Sequence, residues 1–239
     1  MARFTRVLDL MLRVRRSSGL PTERLTMLDI GCNAGTQAFM WAERGHAVHG
    51  IDINEPLLDI ARRRARERNV QVDFRLGSAT SLPWRDHSMD ICLMPELLEH
   101  IDAWESCLRE AARVLRPGGV LYVSTTNRLC PRQMEFDLPL YGWYPNQLKR
   151  HFERLAVTTR PQLVNHAKFP AVNWFTPYQL RDKLESLGFD ARDQFDWIDT
   201  RQRPAVVGIA VRMIRRLAPL RWLAHVMTPY SMVIGVHKP

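Results

Sequence analysis

Leu28-Asp29-Ile30-Gly31-Cys32-Asn33-Ala34-Gly35 is the stretch on which the fold turns. An apolar run beginning at Leu25 leads into two glycines, and Thr36 to Arg44 then suits a helix, so the segment reads as strand, tight turn, helix. Working outward, Ala47 to Ile53 is the next β-like run, and Asn54 with Pro56 can cap and start a helix reaching about Arg68. Val70 to Leu76, Met89 to Met94 and Val120 to Thr125 read as further strands. A helix over Trp104 to Leu115 is closed by Arg116-Pro117-Gly118-Gly119. Strands that alternate with helices predict an α/β fold with a doubly wound, mostly parallel sheet.

After Thr126 the rhythm stops. Asn127 to Asn173 is proline-rich and carries Tyr141, Trp143, Tyr144 and a helix-like Pro145 to Leu155, which reads as an insertion. Thr176 then caps a helix ending near Leu187, and Phe189 to Ile198 and Met232 to His237 complete a seven-stranded sheet. The expected organisation is a single domain over residues 1–239. It has a cofactor-binding core at 25–126, a substrate lid at 127–173 and a basic amphipathic insertion at 203–230.

The 239 residues are 46% hydrophobic, enough for a sizeable core, and carry a formal net charge of +9. No run of about 18 or more uncharged apolar residues appears, and the first sixteen residues alternate apolar side chains with arginines. The expectation is a cytoplasmic protein without a spanning helix. Cys32, Cys92, Cys107 and Cys130 show neither CxxC pairs nor zinc-finger spacing, which points to reduced thiols. The positive charge is compatible with nucleic acid, anionic lipid or an acidic substrate.

A parallel α/β sheet binds ligands beyond the carboxyl ends of its strands, where the Gly31–Gly35 turn sits. A bare turn of this kind is also an ordinary strand-to-helix connection. Residues further along the chain make the pattern specific: Asp52 ends the second strand, where a carboxylate can accept both ribose hydroxyls; Gly77-Ser78-Ala79 ends the third; Asp90 opens the fourth. Together with Glu96 to His100 and Arg113 to Gly119, these resemble the successive motifs of class I S-adenosylmethionine-dependent methyltransferases over about Leu25 to Thr126. Leu93-Met94-Pro95-Glu96-Leu97-Leu98-Glu99-His100-Ile101 is similar to the same stretch in the ubiquinone-biosynthesis O-methyltransferases, which methylate phenols.

The resemblance implies a seven-stranded, Rossmann-like methyltransferase fold with C-terminal insertions, S-adenosylmethionine as cofactor and a small-molecule acceptor. It implies that Asp29, Gly31, Asn33 and Gly35 line the methionine portion, that Asp52 and Ile53 hold the ribose end, and that Ser78, Ala79 and Pro95 border the rest of the cofactor site. Asn33 stands where a middle glycine is usual and Ser78 where many members have aspartate. Asn tolerates the left-handed conformation, so the first departure keeps the turn, whereas the second changes the adenine contacts.

Methyl transfer needs alignment, exclusion of water and deprotonation of the acceptor; a phenol of pKa ~10 needs help with the last. His100 is the candidate base. Glu96, Glu99 and His100 could instead converge on a divalent ion, or Glu99 and His100 could pair locally. His151 and His166 are secondary candidates. Tyr141, Trp143, Tyr144 and Trp174 can wall an apolar acceptor pocket or pack as the core of the insertion. Val206, Val207, Ile209, Ala210, Met213, Ile214 and Leu217, beside Arg212, Arg215 and Arg216, have the pattern of a helix at an anionic membrane surface or of one that covers the sheet.

Two other classes compete with this assignment. A nicotinamide-dependent dehydrogenase also places an acid after its second strand, but Gly31 to Gly35 is not G-x-G-x-x-G. A nucleic-acid-binding protein would use the charge, yet no binding motif or aromatic stacking platform accompanies it, so no nucleic-acid partner is expected.

Overall fold

The central strand β1 (Thr26–Ile30) is almost wholly buried, as a strand covered on both faces must be, and its apolar sequence meets that demand. It pairs in parallel with β2 (Ala47–Asp52) on one side and β4 (Met89–Pro95) on the other. β3 (Asp73–Leu76) lies outside β2, and β5 (Leu115–Thr126) outside β4. β7 (Tyr230–His237) then runs antiparallel between β5 and β6 (Phe189–Asp193), giving the order β3-β2-β1-β4-β5-β7-β6. This computed structural model describes residues 2–132, 136, 138–163, 171–201 and 203–238.

Helices cover both faces. One apolar cluster joins the sheet to α1 (Ala2–Ser17), α2 (Thr36–Ala42) and α3 (Glu55–Glu67), and a second joins it to α4 (Trp104–Val114) and α6 (Pro177–Ser186). The expected caps form. Asn54 Oδ1 accepts from the Leu57 N–H at 3.3 Å, and Thr176 and Gln179 make a reciprocal capping box. All four cysteines are buried and unbridged.

α1 is not legible as an element in the alternation of arginine and apolar residues, yet Leu8, Met11, Val14 and Arg15 form its inner face. The buried Arg15 donates to the carbonyls of Pro21 at 2.8 Å and Asp90 at 3.1 Å. Asp90 Oδ2 in turn accepts from the Thr26 N–H at 2.8 Å and from Arg116 at 2.7 Å. The motif acid that opens β4 is therefore a structural tie among α1, β1 and β5, at the end of the sheet away from the glycine turn.

The insertion after β5 contains α5 (Asn146–Thr158), with Phe136, Tyr141 and Ala156 as a small separate core. The basic segment forms α7 (Ala205–Arg216) and α8 (Ala218–Val226), broken before Pro219 as its missing N–H requires. Asp193 on β6 holds α8 through Arg221 at 2.8 Å and the fully buried His225 at 2.9 Å. Asn127, just past β5, donates to the carbonyls of His225 and Thr228, both at 2.8 Å.

Candidate active site

The turn after β1 is built from left-handed residues. Gly31, Asn33 and Gly35 have φ of 75°, 48° and 77°. At Gly31 a Cβ would also lie 2.7 Å from Leu97 Cδ1, so glycine is needed for both conformation and space. Asn33 takes the left-handed position in the manner open to its residue type. Its side chain donates to the Gly31 carbonyl at 3.1 Å, and its backbone N–H donates to Asp52 Oδ2 at 2.8 Å.

A cavity of about 1210 Å³ opens above this turn. It is lined by Gly31, Asp52, Ile53, Gly77, Ser78 and Ala79 at the strand ends, by Leu97, His100, Ile101 and Asp102 after β4, and by residues of α5. That volume exceeds the usual pocket for a single small ligand and leaves room for a donor and an acceptor together.

The residues present fit an adenosyl ligand. Each Asp52 oxygen accepts one backbone N–H, Oδ2 from Asn33 and Oδ1 from Asn54 at 2.9 Å, which fixes the carboxylate while leaving a lone pair on each oxygen for a ribose hydroxyl. Ile53 is 77% exposed and offers an apolar surface beside it. Asp29 is buried behind the turn, and among the described residues no side chain hydrogen-bonds to its carboxylate. Burial first, and then the charge of Asp52, raises its pKa to about 7 against the opposing Ala38 N–H.

Several expected contacts lie elsewhere. A Cβ on Gly35 would meet the Phe39 and Phe74 rings at 2.7 and 2.8 Å, so this glycine serves the packing of α2 on the sheet rather than a ligand. Asp29, Asn33 and Pro95 do not line the cavity; Asn33 acts through Asp52, and Pro95 ends β4. The Ser78 hydroxyl is 2.7 Å from Thr80 Oγ1 and accepts from the Thr80 N–H at 3.2 Å, a local turn that holds the Gly77–Ala79 rim.

His100 is exposed on the cavity wall at the end of a 3₁₀ turn, Leu98–His100. Asn173 pins this turn by donating to the carbonyls of Leu98 at 3.1 Å and Ile101 at 2.7 Å, and the Val172 and Asn173 N–H groups donate to the Glu99 carbonyl. The convergence of Glu96, Glu99 and His100 on one ion does not occur. Glu96 is exposed at φ 52°, Glu99 is fully buried and His100 faces the cavity; among the described residues no three His, Cys, Asp or Glu side chains are placed to share a metal. The short turn, rather than a continuous helix from Glu96, separates them.

The aromatic acceptor wall is also corrected. Tyr141 is fully buried, stacked on Phe136 with centroids 4.3 Å apart and edge-on to Trp174 at 5.3 Å; Tyr144 packs on Tyr141 at 5.4 Å. Trp143 is exposed and donates to the Leu129 carbonyl at 2.9 Å. None of the four lines the cavity. Tyr141 and Trp174 face the buried Lys149, whose ammonium donates to the Gly142 carbonyl at 3.0 Å and sits 5.7 and 4.7 Å from their ring centres; burial, with the Arg128 charge, lowers it to about 8.

The wall is instead the polar face of α5: Gln147, Arg150, Glu153, Arg154, Val157 and Thr158. These recur at helical spacing, a signal present in the sequence but overshadowed by the aromatics. His151 lies on the same helix outside the lining, and His166 lies outside the described residues.

Residues 28–123 match a family model described as a methyltransferase domain. Over these residues the chain forms a domain similar to methyltransferase domains. The domain is similar to the ubiquinone biosynthesis O-methyltransferase of Rhizobium rhizogenes, 38% identical over 111 residues that cover 46% of this chain and 45% of that protein. The chain thus spans less than half the length of the curated relatives it matches. The fold of the whole chain, methyltransferase domain and additions together, is that of the YcgJ protein of Bacillus subtilis (TM-score 0.60, 19% identity, covering 97% and 98% of the two chains). A SAM-dependent methyltransferase of Methanosarcina mazei shares it at TM-score 0.56 and 20% identity, covering 93% and 97%.

Proposed function

We propose that the chain transfers the methyl group of S-adenosylmethionine to an oxygen of a small phenolic acceptor, with His100 as the base. The observation that carries this is one shared cavity lined by Gly31, Asp52 and His100 together. When bound, S-adenosylmethionine supplies an activated methyl on a sulfonium, so the protein's work is alignment and proton removal. Asp52 holds the ribose, the open backbone at Gly31 admits the methionyl chain, Leu97 and Ile101 exclude water, and His100 accepts the phenol proton. The likeness to O-methyltransferases of ubiquinone biosynthesis supports an oxygen acceptor. Calorimetry with S-adenosylhomocysteine and NADH tests the donor half: micromolar binding of the first and none of the second is expected. Binding of NADH alone would overturn the assignment.

A specific feature also supports peripheral attachment to an anionic membrane. Val207, Val211 and Ile214 form the inner side of α7, whereas Val206, Ile209, Met213 and Leu217 are exposed, followed by Trp222, Leu223 and Met227 on and just after α8. Residues 200–239 contain no Asp or Glu, and Arg212 and Arg216 are exposed beside this apolar stripe. No described helix is long and apolar enough to cross a membrane, so the surface would lie on the bilayer. Arg215 is committed to the carbonyls of Phe195, Asp196 and Ile198 and is not available to lipid. Co-sedimentation with phosphatidylglycerol vesicles, lost in salt and in an Arg212→Gln/Arg216→Gln variant, is the expected result. Equal behaviour with neutral vesicles would remove this attachment from the account.

A further inference from the structure

We infer that Arg150 and Arg154 form an oxyanion clamp for the acceptor, so that the molecule methylated carries a carboxylate or phosphate group. The inference rests on the methyl-transfer assignment and specifies its acceptor. Both arginines line the cavity that Asp52 also lines, and they stand one turn apart on α5. Like charges at i and i+4 repel along a helix, and natural helices usually relieve this with a nearby acid. Here neither arginine forms an ion pair among the described residues; Arg154 makes only a long 3.4 Å bond to the Arg150 carbonyl.

The carboxyl groups that share the cavity offset the pair only in part. Glu153 feels the charges of both Lys149 and Arg150 and meets Tyr141 and Trp174 in the core of the insertion, where burial raises its pKa, and it makes no ion pair with Arg154. Asp102 lies on the His100 side of the cavity. Two free forks of planar donors at a cavity wall are the usual means of binding a carboxylate or phosphate in two-point fashion. Such an anion at α5 would leave the remainder of an aromatic acceptor spanning toward His100.

The test uses the full chain loaded with S-adenosylhomocysteine and two probes that differ by one carboxylate, catechol and 3,4-dihydroxybenzoate, with phenol and phenyl phosphate as a second pair. The anionic member of at least one pair is expected to bind at least about tenfold more tightly, the scale of a charge-assisted contact, and the pair that shows the larger preference identifies the oxyanion. Arg150→Gln/Arg154→Gln, on an exposed helix face, should abolish the preference while S-adenosylhomocysteine affinity and thermal midpoint are kept. No preference in the parent protein, whether through equal binding or none, overturns the inference, as does a preference that survives in the variant. Failure of S-adenosylhomocysteine to bind would instead strike the methyl-transfer assignment itself.

Discussion

The backbone N–H of Asn33 donates to Asp52 Oδ2 at 2.8 Å, so the left-handed turn after β1 and the acid at the end of β2 hold each other in place. Asp52 fixes the turn, and in the proposed function it also accepts the ribose hydroxyls. Asp52→Ala is expected to weaken S-adenosylhomocysteine binding by about 1.5–3 kcal/mol, the range for a hydrogen bond to a charged group. Calorimetry on a variant with parent-like circular dichroism checks it. Unchanged affinity would take Asp52 out of the site.

Asp29 is buried behind the glycine turn at a cost in stability. Burial and Asp52 hold its carboxyl at about 7, whereas an unfolded aspartate releases its proton near pH ~4. Between those values the folded state binds more protons, so this group lowers stability as pH rises through that window. Asp29→Asn should therefore stabilise the ligand-free protein at pH 8 by about 2–4 kcal/mol relative to the parent while leaving it nearly unchanged at pH 4. Urea denaturation at the two pH values decides it; parallel curves for both proteins would show that burial does not raise the Asp29 carboxyl in the folded chain.

The strands and helices from β1 to β5 are readable because apolar runs, glycine turns and caps at Asn54 and Thr176 all agree with one fold, and Asp52 follows from its place at a strand end. The far half of the site is not. Tyr141 and Trp174 look like an acceptor wall in one dimension, but Lys149 has to be enclosed by them, and only tertiary packing shows that they are spent on it. Gly35 shows the converse problem, since a glycine required by the Phe39 and Phe74 rings cannot be told in sequence from one required by a ligand. α1 is hidden because its buried stripe includes Arg15, an arginine whose role depends on carbonyls at Pro21 and Asp90.

Asp193 anchors the C-terminal helices to the sheet edge. Burial alone would raise its carboxyl, yet the His225 hydrogen bond and the Arg221 charge bring it below the ordinary aspartate range. Its contribution is therefore complete above the unfolded pKa near ~4 and is lost as pH falls through the lower folded value. Asp193→Asn removes the carboxylate that Arg221 and His225 share, leaving Arg221 only Asp196, and is expected to cost about 3–5 kcal/mol. Hydrogen exchange should show the loss of protection first in α8, with β1 and β2 protected longer. A loss spread evenly over the sheet would contradict this anchoring role.

His100 stands at the end of a three-residue turn whose position is set from outside by Asn173, so its proposed role as base is separable from that support. His100→Ala should lower turnover by about 10²–10⁴-fold, the usual contribution of a positioned general base, with S-adenosylhomocysteine affinity kept because the donor side of the cavity is untouched. Asn173→Ala keeps the imidazole but frees two carbonyls of the turn, so it should lower turnover less, by roughly tenfold, and the remaining rate should keep the pH dependence of the parent. In His100→Ala that dependence should shift toward the pKa of the phenol itself, since hydroxide and water then do the work. Acceptors of lower phenolic pKa should therefore lose less in this variant than acceptors of higher pKa. Turnover near the parent level in His100→Ala, or an equal loss for all acceptors, would assign the proton to another group.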